Sequence, residues 1–149
     1  MNKELFKKDS YKELSIKNCY NTLEFLINEG VDFAIVCYTN VIEFNPEIPE
    51  SIAKFDENVL FIISGYTKES AILSKEYLQF EAGFGDSGFG SVLNIPLEAI
   101  FQIVLEDDIL YLSNYKPKKR VVNSEELSLQ NLLNNPENQK LLKKRVNKK

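Results

Sequence analysis

The chain has 149 residues, a formal net charge of −4 and two cysteines, and it contains no histidine. That length fits one domain with a tail, and the lack of histidine removes Ser-His and Cys-His catalytic pairs and most zinc sites. Classical enzyme chemistry is therefore hard to build from these residues.

Cysteine placement and hydropathy predict where the protein works. Cys19 and Cys37 are isolated in apolar settings, which favours reduced core thiols over a disulfide. No apolar run approaches the ~18 residues that span a bilayer, and residues 1–4 do not resemble a secretory segment. These observations predict a cytoplasmic protein that does not enter a membrane.

Charge is divided unevenly along the chain. Residues 1–115 carry 8 basic and 19 acidic side chains, a net of −11, whereas residues 116–149 carry 10 basic and 3 acidic ones, a net of +7. We predict a folded domain over 1–115 and a basic tail, flexible or forming short helices, over 116–149. The acidic domain disfavours nucleic acid as a partner.

The first predicted element is a helix over residues 10–29. Ser10 and Glu13 have the spacing of a capping box, which would make Ser10 the N-cap. Gly30 suits the end of the helix. The apolar stripe of the helix contains Ile16, Tyr20, Leu23 and Ile27.

Short strands follow this helix. Two pairs of them, 70–73 with 77–84 and 100–105 with 109–112, predict hairpins. The expected fold class is α+β and mostly β, with the helix packed on a bent antiparallel sheet or a partly open small barrel. Strands are predicted at residues 33–39, 41–44, 59–63, 70–73, 77–84, 91–96, 100–105 and 109–112.

Four of the six glycines lie in residues 83–90, where they satisfy the pattern G-x-G-x-x-G. A dinucleotide-binding loop needs a helix to begin at its third glycine, but residues 91–96 predict a strand. A kinase glycine loop does lie between strands, yet the chain has no Val-Ala-Ile-Lys, His-Arg-Asp or Asp-Phe-Gly segment. The glycines are therefore predicted to form a turn between two strands, and phosphate binding is disfavoured.

The strand before the glycines alternates between apolar and polar side chains. Phe80, Ala82 and Phe84 share one face with Leu78. Ala82 is the smallest of them, so that face has a shallow depression between two aromatic rings. These residues form either ordinary core or the apolar floor of a groove in which a peptide backbone approaches a glycine-rich rim.

The segment Phe80-Glu81-Ala82-Gly83-Phe84-Gly85, followed by a strand that ends in Asn94-Ile95-Pro96-Leu97-Glu98-Ala99-Ile100, resembles the SspB (stringent starvation protein B) family. That family has an Ala-x-Phe-Gly-Gly turn, a strand, a Pro-Leu/Phe-x-Ala segment and then a hairpin. The resemblance covers about residues 11–113. Asp86 replaces the second glycine of the family's pair, and residues 86–90 lengthen the turn.

The resemblance implies a homodimeric adaptor, without enzymatic activity or cofactor, that delivers tagged proteins to the ClpXP protease. It would bind degradation tags such as the ssrA peptide in an apolar groove. The N-terminal helix would contribute to the dimer contact, although packing of the same residues against the domain is equally expected. By position, the peptide-binding residues are Leu60, Ile62, Phe80, Ala82 and Phe84, and the dimer residues are Tyr20, Leu23 and Ile27.

The tail departs from the family, whose members usually have a long acidic linker ending in a short motif that docks on ClpX. Residues 142–146 occupy the place of that motif, which makes Arg145 and Val146 the candidate ClpX-docking residues. Residues 119–122 are closer to the motif as a string but lie too near the domain for a long tether. A solvated charge run is the alternative for both segments.

Two other functions stay open. A helix followed by a bent five-stranded sheet also suits a small Sm-like RNA-binding barrel; the acidic domain argues against it, and the basic tail leaves room for salt-dependent binding. The other is an orphan dimerisation or interaction module, whose groove is filled by its own side chains and binds no peptide.

Overall fold

A computed structural model of the chain describes residues 3–118. In this part of the chain a long helix, α1 (Asp9–Glu29), precedes the strands, and a short helix, α2 (Gly65–Glu69), follows β3. The fold is α+β and mostly β, as predicted. The strands are β1 (Phe33–Tyr38), β2 (Glu43–Asn45), β3 (Asn58–Ile63), β4 (Ile72–Leu73), β5 (Tyr77–Phe84), β6 (Phe89–Pro96), β7 (Ile100–Leu105) and β8 (Asp108–Leu112).

The strands form two four-stranded antiparallel sheets. Sheet A has the order β3-β1-β7-β8 and sheet B the order β2-β6-β5-β4. The expected single bent sheet is thus two sheets. Side-chain alternation identifies a strand but carries no information about the sheet that it joins, which is why the sequence did not separate them.

Helix α1 begins earlier than its capping box predicted. Its N-cap is Lys8, whose side chain makes no capping hydrogen bond, so the assignment of Ser10 as N-cap was wrong. The reason is that a 3₁₀ turn at Lys3–Lys7 leads into the helix, and the Lys8 N–H donates to the Leu5 carbonyl over 3.2 Å. The predicted end is confirmed, because Gly30 has φ +72° and donates its N–H to the carbonyls of Leu26 and Ile27.

The inner face of sheet A packs against α1. The Tyr111 hydroxyl of β8 donates to the Ser15 carbonyl over 2.9 Å, which ties that strand to the helix. Cys19 on α1 and Cys37 on β1 are both free and buried in the same core. Burial raises the pKa of both thiols, so they stay protonated, in agreement with the predicted core thiols.

An aromatic cluster fills the space between β3 and sheet B. The ring centroids of Phe61 and Phe80 are 5.7 Å apart, and those of Phe55 and Phe84 are 5.6 Å apart in an edge-to-face arrangement. Phe44 stacks on Phe55 at 5.4 Å. The phenylalanines of β5 thus belong to the interior that holds the two sheets together.

The predicted hairpins are confirmed, with local differences. β4 pairs with β5, β7 with β8, and the glycine turn joins β5 to β6. The strand expected at 41–44 is shifted to Glu43–Asn45 because residues Thr39–Val41 form a 3₁₀ turn. The tail predicted at 116–149 lies outside the described residues beyond Lys118.

Candidate functional site

A cavity of about 490 Å³ lies on sheet B beside the glycine turn. Three parts of the chain surround it: the turn ends of β5 and β6, the end of β2 with the following proline, and the segment that enters α2. It is lined by Asn45, Pro46, Ser64, Tyr66, Thr67, Glu81, Ala82, Gly83, Gly88, Gly90, Ser91 and Val92.

The floor of this cavity is largely main chain. Gly83 and Gly90 face each other across the β5–β6 pair and carry no side chain. A Cβ added to Gly90 would meet nothing within 4 Å, so the space above it is open. Another chain can therefore approach this part of the sheet closely, which the glycines permit and larger residues would prevent.

The turn at the rim depends on glycine for a steric reason. Gly85 has φ +73°, and a Cβ there would lie 2.7 Å from Cγ2 of Ile52 and 3.1 Å from the Ile52 carbonyl oxygen. The Gly88 N–H donates to the Gly85 carbonyl over 3.2 Å and closes the turn. This geometry confirms the prediction that the glycines join two strands.

Hydrogen bonds hold the walls of the cavity in place. The Tyr66 hydroxyl of α2 donates to Oε1 of Glu81 over 2.8 Å, and this bond raises the pKa of the tyrosine. On the opposite wall the Ser91 hydroxyl donates to the Pro46 carbonyl over 2.9 Å. Glu81 is the charged side chain of the lining, so the cavity has an acidic character.

Strand β5 has an open edge beside the cavity. β4 pairs only with Leu78 and Gln79, so β5 continues beyond its partner. There the Glu81 N–H donates to the Ser70 hydroxyl over 2.9 Å. Because alternate residues of a strand direct their amides to the same edge, the main chain of Gly83 faces this edge too. An extended peptide can pair with such an edge.

The structure brings only part of the predicted peptide-binding set to the cavity. Ala82 lines it. Phe80 is 1% exposed and lies in the core, and Phe84 is half-buried among the aromatic rings. The reason is strand alternation: Phe80, Ala82 and Phe84 share the inward apolar face of β5, where Ala82 also packs against the core, whereas the cavity opens beside Glu81 and Gly83 on the other face. The predicted apolar floor is thus the interior of the domain.

The other two residues of that set lie elsewhere. Leu60 and Ile62 on β3 are 53% and 66% exposed on the outer face of sheet A, and neither lines the cavity. Asn45, Tyr66 and Glu81 do line it and were not anticipated. Sequence reasoning missed them because α2 was not predicted and because Glu81 occupied the polar face of its strand.

The predicted dimer residues contact the domain itself. Leu23 is fully buried in the core, and Tyr20 and Ile27 are half-buried against it. This matches the packing alternative stated for them. The candidate ClpX-docking residues, Arg145 and Val146, lie outside the described residues.

A second cleft, of about 420 Å³, lies where the start and the end of the described chain meet. Four lysines give it a basic character that contrasts with the acidic domain. It is lined by Lys3, Phe6, Lys7, Asn114, Tyr115, Lys116 and Lys118.

Sequence comparisons with protein families and curated proteins identify no relative of this chain. A scan of the chain against protein-family models matches none of them, and a search of the curated proteins finds no match. Within residues 3–118, no three His, Cys, Asp or Glu side chains are grouped so that they could hold a metal ion. No helix of the described part is long and apolar enough to cross a bilayer.

Proposed function

We propose that this chain is a peptide-binding adaptor of the SspB type, which captures an extended degradation tag and delivers the tagged protein to ClpXP. The observation that carries the proposal is the open cavity, whose glycine floor lies beside the glycine turn and the edge of β5. Ala82, which the resemblance implied for the peptide groove, is also in the lining of this cavity.

The cavity offers the three interactions that an extended peptide needs. The edge of β5 at Gly83 supplies main-chain hydrogen bonds, the glycine floor allows close approach, and the polar walls select side chains. Pairing along a strand edge gives affinity that is independent of sequence, whereas the walls give specificity. This division suits a protein that recognises a tag on many different substrates.

Charge sets the expected preference of the cavity. Glu81 lies in its wall, and no lysine or arginine lines it. We therefore propose a tag segment with a basic or uncharged side chain at this point, since an acidic one would be repelled.

Fluorescence anisotropy with a labelled ssrA-type peptide tests the proposal. We expect micromolar or tighter binding by the wild-type chain and its loss in Gly90→Gln, because the new side chain enters the open space above the glycine floor of the cavity. Ala53→Gln is the matched control, since Ala53 is half-buried and lies outside the lining. Equal binding by wild type and Gly90→Gln, or no binding by either, would contradict the proposal.

Delivery to the protease is a separate step with its own test. The tail contains the candidate docking residues Arg145 and Val146, and deletion of residues 140–149 should abolish ClpXP delivery while leaving peptide binding intact. Unchanged delivery by the truncated chain would show that this docking assignment is wrong.

RNA binding is the second candidate, and the lysine-lined cleft is the observation that favours it. Lysines beside Phe6 and Tyr115 suit an anionic ligand with aromatic groups. This function predicts salt-sensitive RNA binding that disappears when residues 116–149 are deleted, because the deletion removes Lys116, Lys118 and the rest of the basic tail.

A further inference from the structure

The cleft between the start and the end of the described chain concentrates positive charge on an acidic domain. Two of its lysines, Lys3 and Lys7, belong to the 3₁₀ turn that precedes α1. The other two, Lys116 and Lys118, lie beyond β8. Because residues 1–115 carry a net charge of −11, four lysines around one cavity of about 420 Å³ stand out from the rest of the domain. We call this cavity the lysine cleft, and its charge favours an anionic ligand.

The segment after β8 presents its two lysines on the same side. Burial alternates along it: Tyr115 and Pro117 are buried, whereas Lys116 and Lys118 are exposed. This alternation is typical of extended backbone, in which every second side chain lies on the same side of the chain. The two lysines can therefore contact the same ligand.

The domain neutralises little of the charge of the lysine cleft. Lys7 forms an exposed ion pair with Glu4, with 3.7 Å between the ammonium and the carboxylate. Within the described part of the chain, Lys3, Lys116 and Lys118 form no ion pair with a carboxylate. Three ammonium groups of the cleft thus remain for a bound anion to neutralise.

Aromatic side chains complete the lining. Phe6 and Tyr115 lie beside the lysines in the cleft. Phe6 is half-buried, and its ring centroid is 5.1 Å from that of Tyr11. Rings next to ammonium groups favour a ligand in which an anionic group is joined to a flat ring, because the ring can stack while the anion meets the lysines.

Hydrogen bonds fix the position of the segment that carries Lys116 and Lys118. The Asn114 N–H donates to the Tyr11 hydroxyl of α1 over 2.9 Å. The Ser113 hydroxyl donates to the Ser15 hydroxyl of the same helix over 3.0 Å. Helix α1 directly follows the 3₁₀ turn that supplies the other two lysines. Both walls of the cleft are thus held on one helix, so binding has little of the main chain to order, which suits a small ligand.

The basic side chains of the cleft are all lysines. A carboxylate is matched best by the two parallel N–H groups of an arginine guanidinium, whereas a lysine ammonium meets phosphate oxygens as a point charge. The Lys116 ammonium also lies 5.9 Å from the ring centroid of Tyr38, a contact that leaves its charge intact. This choice of residues favours phosphate groups over carboxylates.

The surroundings of the cleft limit the length of its ligand. Acidic side chains follow directly in the chain, with Glu4 on the 3₁₀ turn and Asp9 in the first turn of α1. A nucleic-acid strand would extend from the cleft over an acidic domain that repels its phosphates. A single nucleotide would not, and a cavity of about 420 Å³ lies within the range of small-molecule sites, about 300–1,000 Å³.

We propose that the lysine cleft binds a nucleoside di- or triphosphate, with the phosphates among Lys3, Lys116 and Lys118 and the base against Phe6. The cleft shares no lining residue with the peptide cavity, so this site is independent of the proposed adaptor function. It differs from RNA binding because a single nucleotide occupies it fully.

Isothermal titration calorimetry of the full chain with ATP tests this proposal. We expect a dissociation constant of about 10–100 μM for wild type, and binding at least about tenfold weaker for the double variant Lys116→Gln/Lys118→Gln. The double variant Lys17→Gln/Lys54→Gln is the matched control, since it removes the same charge at exposed lysines outside the cleft and should bind like wild type. Circular dichroism checks that each variant is folded, and Lys3→Gln replaces the first variant if that one is not.

Two comparison ligands test the role of the base. Inorganic tripolyphosphate lacks the ring and should bind about tenfold more weakly than ATP, and Phe6→Leu should reduce the affinity for ATP to a similar level. A short single-stranded RNA should bind no more tightly than ATP, because only one of its nucleotides fits the cleft.

Four results would overturn the proposal. The first is no binding of ATP to the wild-type chain at about 1 mM. The second is equal weakening in the two double variants, which would reflect net charge alone. The third is tripolyphosphate binding as tight as that of ATP, which would exclude recognition of the base. The fourth is RNA binding more than about tenfold tighter than ATP binding, which would make the cleft part of a longer strand site.

Discussion

The outer faces of the two sheets differ in shape and polarity. Sheet B beside the glycine turn has a concave, polar site with a main-chain floor and one carboxylate. The outer face of sheet A has large, exposed aliphatic side chains on its edge strands, such as Ile62 and Leu112, and the Lys116 ammonium lies 5.9 Å from the ring centroid of Tyr38 on the same face. A concave site with main-chain groups suits an extended ligand, whereas a flat apolar face suits a folded partner. Both surfaces lie on alternating strands, but the site on sheet B also has walls from Pro46 and from Tyr66 of α2.

The largest expected effect tests which face of β5 belongs to the interior. Phe80→Ala should lower the free energy of unfolding by about 3–5 kcal/mol, because it removes a buried ring from the core. Urea denaturation measures this, with Gln79→Ala on the opposite face as the control. A variant that keeps its stability but loses peptide binding would show that Phe80 faces the ligand after all.

Two glycines, one in the turn and one in β6, should have smaller effects that distinguish protein stability from peptide binding. Gly85→Ala should cost about 1–2 kcal/mol of stability, since φ is positive and the new methyl group would meet Ile52. Gly90→Ala should stay within about 0.5 kcal/mol of wild type, because its Cβ enters open space, yet it should weaken peptide binding by narrowing the cavity. Thermal melts and peptide titrations of both variants check this. Equal peptide affinity of Gly90→Ala and wild type would argue against the glycine floor as a contact surface.

Much of the fold follows from the sequence, and less of the site does. The hairpins, the end of α1 at Gly30 and the buried thiols were all predictable, because periodicity and turn residues report local structure. The cavity was only half predictable. Ala82 and the glycines were identified, but Tyr66 and Pro46 reach the site through α2 and β2, whose positions depend on the packing of two sheets. The exposure of Leu60 and Ile62 could not be predicted either, because an apolar run does not reveal which of its side chains face solvent.

Charge at the cavity should produce a modest effect on specificity. A tag peptide with lysine should bind about fivefold more tightly than its glutamate counterpart, and Glu81→Gln should reduce this preference. The effect should fall as salt is added, because Glu81 is exposed. Anisotropy with the two peptides at two salt concentrations measures it. Asp86→Gln is the control, since Asp86 lies in the turn but outside the lining; a preference that responds equally to both substitutions would reflect net charge rather than the cavity.

The smallest expected effect concerns the wall that positions Glu81. Tyr66→Phe removes the hydroxyl that donates to Glu81 and should change peptide affinity by less than about threefold, since exposed hydrogen bonds contribute little. Tyr77→Phe is the control, because Tyr77 lies on the same face of β5 as Glu81 but does not line the cavity. A tenfold or larger loss in Tyr66→Phe alone would mean that the hydroxyl contacts the peptide directly.

The most direct test of the peptide site is size-exclusion chromatography with a labelled ssrA-type peptide, run on wild type, Gly90→Gln and Ile62→Lys. Co-eluting fluorescence reports bound peptide. We predict bound peptide for wild type and for Ile62→Lys, because Ile62 is exposed and lies outside the cavity, and free peptide for Gly90→Gln, because its new side chain enters the cavity. Loss of peptide by Ile62→Lys, or its retention by Gly90→Gln, would contradict the assignment of the cavity to the peptide.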